Sequence, residues 1–335
     1  MKIAYLLEST EIYGGVQIVL RQAEALARRG HRVTVVSPGT SPDWFPLAHA
    51  RFERSAYRDS EALRDADARV ATFWTTVPEA LAGARGPVFH LCQGYEGEIA
   101  YYRDVRGEIE RAYRAPTHKL AISATLAARL DALGFGPATD VGQAFDATGF
   151  FPGPARPAAD PPVVLVVGPL EVEFKGIEVA LRGLALARRR GTRFFLRRVS
   201  YSPCLDAERD LGVTDEYHDR IEPERMAFAY RASDAYVGAS RVEEGFGLPS
   251  LEALACGLPT LLSDVPGQRE IGGEAAAYFR DGSPESLADA LPALLDPGAR
   301  ERARTAGPAA ARRFDAAGVA ERLERAFLAA GTGAP

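Results

Sequence analysis

The stretch Glu243-Glu244-Gly245-Phe246-Gly247-Leu248-Pro249-Ser250-Leu251-Glu252-Ala253-Leu254-Ala255-Cys256-Gly257-Leu258-Pro259 decides the reading of this chain. It divides into a glycine-rich turn, a helix and a stop. Pro249 suits a first helical position, where its missing N–H costs nothing. Gly257 and Pro259 end the helix. Asp234 to Gly238 in front, and Thr260 to Ser263 behind, are short apolar runs of strand length. The free amides and positive dipole end of such a helix make a seat for an anion. Gly245 and Gly247 let the backbone approach a ligand closely. Glu244 stands before the turn and Glu252 in the first turn of the helix, so both can face one ligand with different reaches.

The same strand–glycine loop–helix–strand order recurs along the chain. Ile3 to Leu7 is an apolar run, followed by Gly14-Gly15. Val16, Val19, Leu20, Ala23, Leu26 and Ala27 then repeat at helical spacing, Arg28 and Arg29 suit the last turn, and Val33 to Ser37 is the next strand. Five prolines (Pro152, Pro154, Pro157, Pro161 and Pro162) mark a linker. Beyond it, Val163 to Val167 is a strand, Gly168 to Gly176 a loop, and Ile177, Ala180, Leu181 and Leu184 one face of a helix. The prediction is an α/β chain of two Rossmann-like, doubly wound parallel-sheet domains whose C-terminal strand edges face a central cleft. Its divisions are a first domain over residues 1–150, a linker over 151–162, a second domain over 163–310, and a C-terminal helix and tail over 311–335. That helix has two places to dock, on the second domain or back on the first.

Composition narrows the function. The chain has 335 residues, a formal charge of −5 and 47% hydrophobic residues. Seventeen basic and eighteen acidic residues stand in the first 150, and 23 and 27 in the remainder. Neither half is basic, so no nucleic-acid partner is expected. No apolar run reaches the roughly 18 residues of a membrane span, and the opening residues lack a signal-peptide pattern. Cys92, Cys204 and Cys256 form no CxxC. A reducing cytoplasm fits, with the arginine face of Arg21, Arg28 and Arg29 left as a place for peripheral contact with the inner membrane face. His31, His49, His118 and His218 show no metal-ligand spacing. Asp65-Ala66-Asp67 mimics the D-x-D motif of metal-dependent glycosyltransferases and reads instead as the polar end of a helix. No metal and no cofactor is expected.

Glu244 through Glu252 matches the E-x7-E element of retaining GT-B glycosyltransferases, and the run EGFGLPSLEALACGLPT resembles glycosyltransferase family 4 (group 1). The likeness covers nearly the whole chain, through Gly14-Gly15, Gly168-Pro169-Leu170 to Lys175-Gly176, and Ser263 to Glu270. It implies transfer of a hexose or deoxyhexose, with retention and without metal, from a nucleotide diphosphate sugar to the hydroxyl of a carbohydrate or lipid-linked acceptor. Assembly of a cell-surface polysaccharide or glycolipid is the implied setting. By position, Glu244 would face the donor sugar, and the amides of Gly245, Phe246, Gly247 and Leu248 would touch sugar and phosphate. Glu252 would hold the ribose and Ile221 would lie near the base. Lys175, beside Gly168 and Pro169, would stabilise the leaving diphosphate. Gly14 and Gly15 would lie near the phosphates or the acceptor.

Two positions depart from the family pattern. Pro169 stands where an arginine commonly holds the diphosphate, leaving Lys175, Arg197, Arg198 or Arg241 to supply charge. Gln93, in Phe89-His90-Leu91-Cys92-Gln93-Gly94-Tyr95-Glu96, stands where the family often has histidine, with His90 a nearby substitute. These departures keep open a catalytically weak sugar-nucleotide binder acting as a partner subunit. Another GT-B reaction, an epimerase or phosphorylase, is the remaining alternative.

Overall fold

The computed structural model describes residues 1–12, 14–145, 148–244 and 246–332. The chain forms two compact units, Met1–Asp146 with Phe314–Pro335, and Ala147–Arg313. Each is built on one wholly parallel sheet.

The strands of the first unit are β1 (Lys2–Leu6), β2 (Arg32–Ser37), β3 (Arg51–Arg54), β4 (Ala68–Ala71), β5 (Val88–Cys92), β6 (His118–Ala121) and β7 (Ala138–Asp140). They lie in the order β3-β2-β1-β4-β5-β6-β7. The apolar runs that sequence reading marks as strands are buried on both faces, as a helix-covered parallel sheet requires. The second unit holds β8 (Val163–Val167), β9 (Phe195–Ser200), β10 (Glu216–Asp219), β11 (Ala235–Gly238), β12 (Thr260–Ser263) and β13 (Ala277–Phe279), ordered β10-β9-β8-β11-β12-β13. In both sheets the order reverses at the first strand. The loops leaving β1 and β4, and those leaving β8 and β11, diverge to opposite faces and open a crevice at the C-terminal edge.

The two C-terminal helices part company. Pro297–Ala311 packs on the helix Leu248–Ala255 of the second unit. Ala316–Thr332 packs on Gly14–Arg28 of the first. There Arg29 pairs with Glu321 at 3.3 Å and with Glu324 at 2.5 Å. Part of the arginine face read as a membrane contact is therefore occupied within the unit. No helix among the described residues is long and apolar enough to cross a membrane. The D-x-D mimic is structural: Asp65 pairs with the Lys2 ammonium at 3.0 Å and Asp67 accepts the Lys2 amide at 2.7 Å.

The proline-rich segment is anchored by one buried carboxylate. Asp234, 3% exposed in its side chain, pairs with Arg156 at 3.0 Å and Arg300 at 2.5 Å. Its second oxygen accepts the amides of Ala159 (3.2 Å) and Val163 (2.9 Å). The segment, the start of β8 and the helix Pro297–Ala311 thus meet on a single side chain. Asp234→Ala strips two half-buried guanidinium groups of their counter-charge and two backbone amides of their acceptor. It is expected to cost about 3 kcal/mol, read as a lower midpoint in urea unfolding with an unchanged slope.

Candidate functional site

At the crevice of the second unit, the connection after β8 and the connection after β11 come into backbone contact. The first runs through Gly168 and Pro169, both buried, to a 3-10 turn at Glu173–Lys175 and then Gly176. The Arg241 amide donates to the Phe174 carbonyl at 2.8 Å. Gly176 has φ 62°, and a Cβ placed there would lie 1.9 Å from the Ala239 carbonyl oxygen. Only glycine satisfies both demands.

This stitching brings Lys175 onto Glu244. The Lys175 ammonium pairs with Glu244 Oε1, in a carboxylate only 6% exposed. The other oxygen, Oε2, is buried and has no hydrogen-bond partner among the described residues. A buried carboxylate oxygen without a donor is costly to desolvate, and a hydroxyl presented by a ligand removes that cost. The result is a fixed cation beside a buried acceptor atom that lacks a donor.

The helix that follows spans Leu248–Ala255, with Gly247 as its N-cap and Pro249 as its second residue rather than its first. The Leu248 amide turns back to the Phe246 carbonyl at 3.2 Å, while Ser250 and Leu251 donate to the Gly247 carbonyl. Phe246 is buried. A Cβ on Gly247 would sit 2.5 Å from Gln268 Nε2, and the Oε1 of that buried glutamine lacks a hydrogen-bond partner. Glu252 accepts the phenol of fully buried Tyr230 at 2.8 Å. Burial, with the Glu252 charge beside it, holds that phenol well above its ordinary range. Ile221 is half-buried after β10, behind Arg220 at φ 54°. Gly245 lies outside the described residues.

Two of the arginines considered as replacements for the charge missing at Pro169 are consumed elsewhere. Arg198 is fully buried; it pairs with Glu208 at 2.7 Å and donates to the carbonyls of Val166 and Gly168, both at 2.8 Å. Arg197 pairs with Glu216 and donates to the Ala232 carbonyl at 3.3 Å. Arg241 keeps an exposed side chain, with Glu243 3.8 Å away. Sequence gives no hint of this division, because alternate residues of β9 face opposite sides of a sheet covered on both.

In the first unit, Gly14 and Gly15 are the first two residues of the helix Gly14–Arg28 rather than part of the loop before it. Gln93, just past β5, donates from Nε2 to the Gly15 carbonyl at 3.2 Å. His90 does not substitute for the family histidine. It is 1% exposed with its ring 4.7 Å from that of Tyr113. Burial, with the Lys119 charge adding, pushes its pKa down to about 3. Glu96, which sequence reasoning passed over as a site residue, lies in this loop with its pKa pushed up to about 7 by burial. The one sequence signal was its place three residues beyond Gln93.

Residues 161–297 match the family model described as glycosyl transferases group 1. The match lies within the second unit. The chain is 34% identical over 169 residues to a D-inositol 3-phosphate glycosyltransferase of Acidothermus cellulolyticus, a match that covers 45% of this chain and 37% of that protein. It is 27% identical over 375 residues to a phosphatidyl-myo-inositol mannosyltransferase of Mycobacterium tuberculosis, covering 97% and 96%. Among solved structures, HepE of Anabaena in complex with UDP-glucose superposes with a TM-score of 0.76 at 16% identity, covering 98% of this chain and all of that one. That likeness establishes the two-domain GT-B fold. Within it, the Gly176 contact is the tightest point of the site. Gly176→Ala is expected to cost at least about 2 kcal/mol, from positive φ and a carbonyl clash together. A melting temperature lowered by several degrees, with Lys175 binding functions lost alongside, is the result to look for.

Proposed function

We propose that the chain moves a hexose or deoxyhexose, with retention of configuration and without a metal ion, from a nucleoside diphosphate sugar to a hydroxyl acceptor. The observation that carries this reading is the pairing of Lys175 with Glu244, whose second oxygen is buried without a partner. In the proposed mechanism a donor sugar hydroxyl donates to Glu244 Oε2. The diphosphate draws the Lys175 ammonium from Glu244 Oε1. Negative charge develops on the diphosphate as the glycosidic bond breaks, and a fixed cation in a water-poor pocket stabilises it. The acceptor hydroxyl attacks from the face the diphosphate leaves and passes its proton to the departing phosphate oxygen, which retains the configuration. Glu244 accepts hydrogen bonds and is not assigned as an acid. The amides of Gly245, Phe246, Gly247 and Leu248 are proposed to border sugar and phosphate, together with Gly168 and Pro169. Glu252 is proposed to hold the ribose and Ile221 to border the base.

The relatives support this reading by their names, as glycosyltransferases of inositol-based acceptors, and HepE by its bound UDP-glucose. A carbohydrate or lipid-linked acceptor is proposed for the edge of the first unit that carries Gly14, Gly15 and Gln93. A cytoplasmic location is proposed with it. Contact with anionic lipid would fall to Arg28 and the residues near it, since Arg29 is tied to Glu321 and Glu324.

A second reading has its own observation. Pro169 is buried and uncharged, and Arg197 and Arg198 are committed elsewhere, so the diphosphate would meet one fixed cation at this point. A sugar-nucleotide binder without turnover fits that economy of charge.

A thermal-shift screen against UDP, GDP, TDP, ADP and CDP and their sugar conjugates tests both. A ligand bound only by the folded state raises the melting temperature with the logarithm of its concentration. One base is expected to give a clear shift, and Glu252→Ala to weaken it about tenfold in dissociation constant. With that donor, Lys175→Ala and Glu244→Ala are each expected to lower kcat/KM by about 100-fold or more, and EDTA to leave it unchanged. Binding without transfer to any acceptor would favour the second reading. A cooperative melt unmoved by every nucleotide would reject the donor site.

A further inference from the structure

The loop after β5 contains a proton-counting problem. The Tyr113 hydroxyl lies 2.7 Å from the Gly94 carbonyl oxygen and 2.7 Å from Glu96 Oε2. A phenol has one hydrogen, and a carbonyl has none. Both contacts are hydrogen bonds only when the Glu96 carboxyl carries a proton and donates it to Tyr113. Tyr113 then gives its own hydrogen to Gly94. An ionised Glu96 instead claims that hydrogen and leaves two oxygen lone pairs facing each other at Gly94.

We propose that Glu96 is a positioning residue whose proton, relayed through Tyr113 to the Gly94 carbonyl, fixes the loop that holds Gln93 against Gly15. The chain of contacts is continuous: Glu96 to Tyr113, Tyr113 to Gly94, and the adjacent Gln93 from Nε2 to the Gly15 carbonyl at 3.2 Å. Tyr113 is held on its far side by ring contacts to Tyr95, Phe135 and His90 at 5.0, 5.3 and 4.7 Å, so the phenol has little freedom to evade the choice.

The surroundings favour the neutral acid. Burial raises the Glu96 carboxyl to about 7; hydrogen bonds from Tyr113 and from its own backbone amide oppose the rise, and repulsion from Glu8 adds to it. The Tyr113 bond is the one the ionised form would make. The other titratable groups facing Glu96 are Tyr102, from the 3-10 segment Ala100–Val105, and Cys92 at the end of β5. Neither supplies a positive charge. Among the cations around this loop, Arg129 pairs with Glu98 and Arg106 with Glu110, while Lys119, which acts on Cys92, donates to the Ala115 carbonyl and to Thr117. Tyr113 itself is held far above the ordinary phenol range by burial and by Glu96, so it keeps its hydrogen throughout. The sign follows. With the folded value raised, the stabilisation is complete below the ordinary glutamate range and is lost as pH rises through about 7.

The consequence for transfer rests on the proposed nucleotide-sugar reading, but the proton relay does not, so the two fail separately. The test uses the full chain labelled with carboxyl-13C glutamate, with Glu96→Gln identifying the Glu96 resonance by its loss. That resonance is expected to titrate near pH 7. The amides of Glu98 and Ile99, bonded to the Tyr95 and Glu96 carbonyls at 3.2 and 3.0 Å, report on the loop by hydrogen exchange. At pH 8, corrected for intrinsic rate, they are expected to exchange about fivefold faster in the wild type than in Glu96→Gln, whose amide donates to Tyr113 at any pH. Tyr113→Phe keeps the ring and removes the relay. It is expected to exchange rapidly at pH 6 and pH 8 alike. Where transfer is measurable, the wild-type kcat/KM should fall above pH 7 while Glu96→Gln holds its value. Titration of Glu96 in the ordinary glutamate range would overturn the proposal, as would Glu96→Gln following the wild type in exchange or in the pH profile.

Discussion

A wholly parallel sheet ends every strand pointing the same way, and everything in this protein's candidate site depends on where that edge splits. In the second unit the split falls between β8 and β11. The loops from these two strands leave for opposite faces, yet their first residues remain side by side. Contact between Gly176 and Ala239, and the amide of Arg241 on Phe174, hold them there. Lys175 and Glu244, 69 residues apart in sequence, meet because of that constraint alone.

The chain handles buried charge in two ways. Structural charges are fully paired: Arg198 with Glu208 and two carbonyls, Asp234 with two arginines and two amides. These groups have satisfied their bonding capacity and have nothing left to offer a ligand. Glu244 differs, because one of its two oxygens has a partner and the other does not. It shares this incomplete satisfaction with Gln268, which stands against Gly247 in the same unit. The same criterion sets Glu96 apart in the first unit, where two acceptors share one phenol hydrogen.

The departures from the family pattern acquire a physical meaning at this level. Pro169 removes a cation, and the arginines of β9 do not replace it, because they are occupied across the sheet. Gln93 cannot carry a proton, but its amide bridges to Gly15 and so belongs to the framework of the first unit's edge. Titratable chemistry near that edge sits instead on Glu96.

Sequence by itself determined the local elements. Apolar runs of four to six residues, helical periodicity in Val16 to Ala27 and Ile177 to Leu184, and glycine and proline at their ends depend on neighbours a few residues away. So did the turn and helix from Glu244 to Glu252, apart from a one-residue shift of the helix start to Leu248. Tertiary structure decided what these elements present to one another. It buried His90 and Arg198, turned Arg29 toward Glu324, sent Ala316–Thr332 back to the first unit, and set Tyr113 between Gly94 and Glu96. Strand pairing fixes which residues share a face and helix return fixes what covers them. Both are contacts between distant parts of the chain, whose free energy no local pattern records.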